Sequence, residues 1–118
     1  MKILEFFENY YKIPYPGSKL DLIAIPDFAM GAMENVGAVT FRESLLLIDE
    51  SKATRQELSR SVSVIAHELA HMWFGDLVTM KWWDGIWLNE AFASLMEAIA
   101  ANGTYPEFEQ WSEMNLSR

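Results

Sequence analysis

The stretch between residues 64 and 75 constrains this chain more than any other, because it contains a His-Glu-x-x-His pattern at His67, Glu68 and His71. Residues four apart lie on one face of a helix, so both imidazoles can point at the same metal ion. Two imidazoles supply half of a tetrahedral zinc shell, and the adjacent glutamate can hold a water molecule on that metal. The pattern alone is moderately specific, since two histidines can also lie on a helix face with their hydrogen bonds satisfied.

A third ligand has to be a carboxylate, because the chain has two histidines and no cysteine. Glu90, at the start of the next predicted helix, can complete a His₂Glu set and leave a fourth position open, as catalytic zinc requires. The alternative is that Glu90 is a solvated carboxylate favoured by the helix dipole. Asp76, Asp84 and Asn89 are candidates for holding the far nitrogens of the two histidines.

Composition limits the class of protein. The chain has 118 residues, which is one domain at most or part of a larger one, and 51% hydrophobic residues are enough for a packed core. A net charge of −8 argues against nucleic acid or an anionic membrane as a partner, although it can equally be a solvated surface or a field that attracts cations. No membrane segment or signal peptide is recognisable, and with the absence of cysteine this favours the cytoplasm without fixing the compartment.

The first half of the chain predicts a helix followed by a small antiparallel sheet. The helix covers residues 1–11, and prolines at 14 and 16 stop it. Strands are predicted at 19–25 and 37–43, with a short third strand at 44–49, and residues 27–35 form a loop on composition.

The second half predicts helices. Thr54 and Glu57 have the spacing of a capping box, so a helix should begin there and end near Gly75. Its apolar stripe is expected to face the core: Leu58, Val62, Ile65, Leu69 and Met72. A second helix is predicted at 88–101, ended by Asn102-Gly103, and Pro106 should begin a last one. The fold class is therefore α+β.

Two separate motifs make the chain similar to the aminopeptidase N family of zinc aminopeptidases. The first is Gly31-Ala32-Met33-Glu34-Asn35, and the second is the histidine pair followed by Glu90. The sequence around these motifs, including the run from Lys19 to Asp27 and the tryptophans before Glu90, also resembles that of the family. The resemblance covers nearly the whole chain.

This resemblance implies a gluzincin with a thermolysin-like catalytic domain, of which the chain would be a central fragment. Residues 1–50 would form a sheet-bearing lobe, and residues 54–118 a helical lobe with the zinc site. His67, His71 and Glu90 would bind Zn²⁺, and Glu68 would be the catalytic base. Glu34 would bind the free α-ammonium group of a peptide, with its neighbours Gly31, Ala32, Met33 and Asn35 along the substrate.

The chain departs from the family at Val36, Gly85 and Ala91, where many members have tryptophan, an acidic or amide residue, and glycine. The family also uses a downstream tyrosine to stabilise the oxyanion, and Tyr105 is too close to Glu90 to be that residue. The sequence thus predicts a zinc aminopeptidase acting on peptides with free N-termini, impaired without the parent's remaining domains. The alternatives are a non-catalytic zinc-binding fragment or interaction module and, more weakly, an endopeptidase or epoxide hydrolase on the same framework.

Overall fold

The structure is a computed structural model that describes residues 1–109. It contains four α-helices, three strands and two short 3₁₀ segments in this range. In chain order they are α1 (Lys2–Tyr11), β1 (Asp21–Ile25), β2 (Ala32–Met33), β3 (Ala38–Arg42), α2 (Glu43–Leu46), α3 (Arg55–His71), a 3₁₀ segment (Trp83–Gly85), α4 (Ile86–Thr104) and a second 3₁₀ segment (Pro106–Phe108). The α+β prediction is confirmed.

The sheet is mixed, not antiparallel as the sequence suggested. Its strand order is β1-β3-β2, and β1 runs parallel to β3 while β2 runs antiparallel to it. The chain reverses once in forming β2 and again at residues 34–37, where Gly37 has a φ of 74°. Two reversals restore the original direction. Alternation of apolar residues does not show in which direction a strand runs. It therefore predicted neither the parallel pairing of β1 with β3 nor the extra strand β2 within the loop.

The predicted third strand is wrong, because the residues after β3 form the short helix α2. Leu45 is buried there, and its carbonyl accepts a hydrogen bond of 2.6 Å from Ser61 Oγ on α3. A short run of apolar residues cannot distinguish a buried strand from a buried helical turn. Leucine is also a good helix former, which agrees with the structure.

The helix ends differ from the predicted ones. α3 ends at His71, before Gly75. α4 begins two residues earlier than expected and continues through Asn102 and Gly103 to Thr104. The Asn102 side-chain amide donates to Ala98 O at 2.8 Å, so the predicted helix breaker is accommodated within the last turn. Pro106 starts a 3₁₀ segment, and the rest of the predicted last helix lies outside the described residues.

The core lies where α1, α3, α4 and the sheet meet. Val39 and Phe41 point inward from β3 with no exposed surface. Phe7 and Tyr11 of α1 pack on the Trp73 ring with centroid distances of 5.7 and 5.6 Å. These contacts hold the C-terminal end of α3 against the first helix, and α3 lies alongside α4.

The predicted stripe of α3 is only partly buried. Leu69 and Met72 are fully enclosed, whereas Leu58, Val62 and Ile65 are half-buried. Within residues 1–109, no helix combines the length and apolar character needed to cross a membrane. The division into lobes at 1–50 and 54–118 stays a prediction.

Candidate metal centre

The helix that carries both histidines begins at a complete capping box. Thr54 Oγ1 accepts a hydrogen bond of 3.2 Å from Glu57 N, and the Glu57 carboxylate accepts one of 2.7 Å from Thr54 N. These reciprocal bonds satisfy two amide groups that the first turn of the helix leaves without partners. The predicted start of the helix is confirmed, and the periodicity that follows places His67 and His71 on one face.

The three predicted ligands meet at one point. The Nε2 atoms of His67 and His71 are 3.2 Å apart. Glu90 Oε2 lies 3.1 Å from His67 Nε2, and Glu90 Oε1 lies 3.6 Å from His71 Nε2. In a tetrahedral zinc site with metal–nitrogen bonds of ~2.0–2.1 Å, the edge between two nitrogens is about 3.3 Å. The donors are therefore spaced like the corners of a zinc tetrahedron, so the residues fit the metal that the donor set implies.

The far nitrogen of each ring has an acceptor. His67 Nδ1 lies 3.1 Å from Glu97 Oε2, and His71 Nδ1 lies 3.1 Å from the carbonyl oxygen of Phe74. A ring that donates from Nδ1 keeps its Nε2 lone pair in the neutral tautomer, which is the form that binds a metal. Both histidines are oriented for ligation through Nε2.

These acceptors are not the predicted candidates. Asp84 is exposed, and within the part of the chain that the structure describes, Asp76 Oδ2 and Asn89 Oδ1 are buried without a hydrogen-bond partner. Burial also raises the pKa of Asp76 to about 6. Glu97 was missed although the sequence carried a signal, since it is seven residues after Glu90 and therefore on the same face of α4. The Phe74 carbonyl gives no such signal in the sequence, because every residue has a backbone carbonyl.

Glu68 is enclosed beside the histidines. Glu68 is only 7% exposed, and its Oε2 atom is buried and has no hydrogen-bond partner among residues 1–109. Burial raises the pKa of Glu68 to about 7, with His67 opposing this shift and the charges of Glu34, Glu90 and Glu97 adding to it. A carboxyl group poised near neutral pH can both take up and release a proton, which suits a general base.

His67 is held in a strongly acidic environment. Burial lowers its pKa, but the hydrogen bond with Glu97, the charges of Glu68 and Glu97, and the bond with Glu90 outweigh this and raise it to about 9. Carboxylates thus surround the rings on several sides. Such a concentration of negative charge stabilises a cation at the point where the Nε2 atoms converge.

Glu34 lies near the same point. Its Oε1 atom is 4.0 Å from His71 Nε2, and its side chain is 21% exposed. Ala32 and Met33 form β2, Gly31 precedes that strand, and Asn35 follows Glu34 with its carbonyl accepting from Ala38 N at 3.0 Å. The structure therefore brings Glu34 of the predicted substrate loop close to one of the candidate metal ligands.

Comparison with known proteins places the chain in a family. A sequence model of a protein family, described as "Peptidase family M1 domain", matches residues 1–118. The chain is 59% identical to human endoplasmic reticulum aminopeptidase 2 over 92% of its length, covering 11% of that protein. It is 57% identical to probable aminopeptidase 2 of Sulfurisphaera tokodaii over 93%, and 50% identical to aminopeptidase N of Lactococcus lactis over 99%, covering 14% of each. The chain thus spans a small part of these relatives, and it belongs to peptidase family M1.

Proposed function

We propose that this chain carries the zinc centre and the substrate-amine site of an aminopeptidase that removes N-terminal residues from peptides. The observation that carries the proposal is the convergence of His67 Nε2, His71 Nε2 and Glu90 at spacings that suit zinc. The names of the relatives support it, since each is called an aminopeptidase.

The zinc ligands are His67, His71 and Glu90, which leave a fourth position for water or substrate. When bound, zinc polarises the scissile carbonyl and activates water. Glu97 and the Phe74 carbonyl hold the two imidazoles in the tautomer that ligation requires. In this proposal, the described residues supply both the zinc ligands and the groups that orient them.

Glu68 acts as the general base in this proposal. Its carboxylate accepts a proton from the attacking water and then gives it to the leaving amine. The pKa of about 7 that burial produces in the metal-free chain supports such a two-way role.

Glu34 gives the site its preference for free N-termini. Its carboxylate lies directly after β2 and 4.0 Å from His71 Nε2, so in this proposal it pairs with an ammonium group beside the scissile bond. Gly31, Ala32, Met33 and Asn35 lie along the same segment and line the path of the substrate backbone. An N-acetylated peptide lacks the positive charge and loses this ion pair.

A zinc titration tests the centre. We expect one zinc per wild-type chain and none above background in His71→Ala. Glu97→Gln keeps the ligands but is expected to weaken zinc binding roughly 10–100-fold, as loss of an orienting partner does elsewhere. Failure of the wild-type chain to bind zinc after metal supplementation would rule out the centre.

Hydrolysis of leucine p-nitroanilide tests the activity, with N-acetylleucine p-nitroanilide as the matched blocked substrate. We expect cleavage of the free-amine substrate only, and loss of cleavage in Glu68→Gln with zinc retained. Zinc binding without any hydrolysis, in this chain and in a longer version containing the downstream segments, would favour the non-catalytic alternative. Equal cleavage of the blocked substrate would overturn the role of Glu34.

A further inference from the structure

Arg42 makes an unusual set of contacts with the loop that precedes β2. Its guanidinium donates to two backbone carbonyls, from Nε to Phe28 O at 3.2 Å and from Nη2 to Ala29 O at 2.7 Å. Its own backbone N–H donates to Gly31 O at 2.8 Å. One residue at the end of β3 therefore holds three carbonyl groups of this loop.

In the described part of the chain, the Arg42 guanidinium binds backbone carbonyl groups and not a carboxylate. Among residues 1–109, no carboxylate forms a salt bridge with its half-buried side chain. A guanidinium presents several N–H groups in a rigid planar fork, so it can bind two neighbouring carbonyls at once. A lysine at this position keeps the charge but has a flexible point donor, and it cannot reproduce this geometry.

The position of Glu34 depends on the same loop. β2 has only two residues, paired with Thr40 and Phe41 of β3 at the edge of the sheet. Glu34 follows β2 directly, so any shift of the strand moves the carboxylate relative to the metal centre. So short an edge strand has little stability of its own. It is held on its C-terminal side by the turn at Asn35 and on its N-terminal side by Arg42.

We propose that Arg42 is a positioning residue that fixes the distance between the Glu34 carboxylate and the metal centre, and thereby sets the affinity for a free substrate amine. This inference rests on the proposed role of Glu34 and deepens it. Arg42 touches neither substrate nor metal in this arrangement. Its side chain acts through the Phe28 and Ala29 carbonyls and, by way of the loop, on β2, whereas the bond to Gly31 O comes from its backbone and is kept in Arg42→Lys.

The test compares Arg42→Lys with Arg60→Lys, a control at an exposed position of α3. Binding of leucinamide and of N-acetylleucinamide to the zinc-loaded chain is measured by NMR titration, which needs no turnover. We expect Arg42→Lys to weaken leucinamide binding on the order of tenfold, because a displaced carboxylate loses much of its interaction with the ammonium group. N-acetylleucinamide affinity and zinc content should stay unchanged, and Arg60→Lys should match the wild type.

A double-mutant cycle tests whether Arg42 acts through Glu34. In the Glu34→Gln background, Arg42→Lys should cause no further loss of leucinamide affinity. Equal weakening of both ligands, additive losses in the double variant, or loss of zinc binding by Arg42→Lys would each overturn the proposal, since each would indicate a general structural role.

Hydrogen exchange separates this inference from the proposed function. If Glu34→Gln binds leucinamide as well as the wild type does, the amine-binding role of Glu34 is wrong. The amides of residues 31–34 then report on Arg42 alone. Faster exchange of these amides in Arg42→Lys than in Arg60→Lys supports the fixing of the loop, and equal exchange overturns it.

Discussion

Gly75 provides a test of how tightly the centre is built. Its φ is 129°, a region that side chains rarely adopt. A Cβ atom placed there would lie 2.6 Å from Asn89 Oδ1 and 3.1 Å from His71 Nδ1. Gly75→Ala therefore introduces backbone strain, a steric clash with Asn89 Oδ1 and a tight contact with the Nδ1 atom of His71, a proposed zinc ligand.

The magnitude follows from these two effects. Holding alanine in a disfavoured backbone region costs ~1–3 kcal/mol. Moving Asn89 or the His71 ring off its rotamer to relieve the clash adds about 0.5–1.5 kcal/mol. We expect the free energy of unfolding of the metal-free chain to fall by roughly 2–4 kcal/mol. Because the His71 ring is a proposed zinc ligand and must also shift, zinc affinity should fall about 10–100-fold.

Urea unfolding of the metal-free chain, followed by tryptophan fluorescence, measures the loss of stability. Competition with a chelator measures the loss of zinc affinity. Gly31→Ala is the matched control for both readings, since its Cβ would meet nothing closer than Leu45 Cδ1 at 3.8 Å. If Gly75→Ala unfolds and binds zinc like this control, then the packing around His71 is looser than the distances indicate and the reasoning fails.

Other variants and conditions probe separate features. In the metal-free chain burial lowers the pKa of His67, but surrounding carboxylates raise it from 6.5 to about 9. Zinc displaces that proton, so zinc affinity should rise about tenfold per pH unit between pH 6.5 and about 9. The stability that protonated His67 contributes to the metal-free chain is fully present below pH 6.5 and should be lost as the pH rises to about 9. A chelator-buffered titration and urea melts measure these opposite slopes, and a zinc affinity independent of pH would contradict them. Phe7→Ala empties a fully buried site and should cost ~3–5 kcal/mol in the same melts; a loss under about 1 kcal/mol would mean that α1 packs loosely. Thr54→Ala removes the helix cap and should cost about 1 kcal/mol. Hydrogen bonds from Thr54 hold the pKa of Glu57 below its usual range, so the wild type should lose this stabilisation as the pH falls through that lowered pKa, and the variant should show a weaker acid dependence.

The part of the fold that sequence reasoning predicted well is the part governed by local interactions. The start of α3 followed from Thr54 and Glu57, three residues apart, and their bonds form within a single turn. The separation of His67 and His71 needs only helical periodicity to place both rings on one face. Helices α1 and α4 also followed from apolar spacing, although their ends shifted by a few residues because terminal turns depend on neighbouring packing.

The errors have a common origin in nonlocal pairing. The direction of β1 relative to β3 depends on how often the intervening chain reverses. One of these reversals forms β2, which has only two residues and therefore gives a weak signal in the sequence. The change of residues 43–46 from strand to helix depends on whether β3 extends or stops. These decisions rest on hydrogen bonds between distant segments, which a periodic pattern in one segment does not describe.

The sequence by itself determined which atoms could bind a metal. With two histidines on one helix face and no cysteine, the donor set had to be imidazole and carboxylate. Only the tertiary structure decided that Glu90 reaches both Nε2 atoms, and that Glu97 and the Phe74 carbonyl orient the rings. It also decided that Glu34, directly after a two-residue strand, comes within 4.0 Å of His71 Nε2. The physical reason is that ligand identity follows from side-chain chemistry, whereas the spacing of about 3 Å that zinc needs arises only when α3, α4 and the sheet pack against one another.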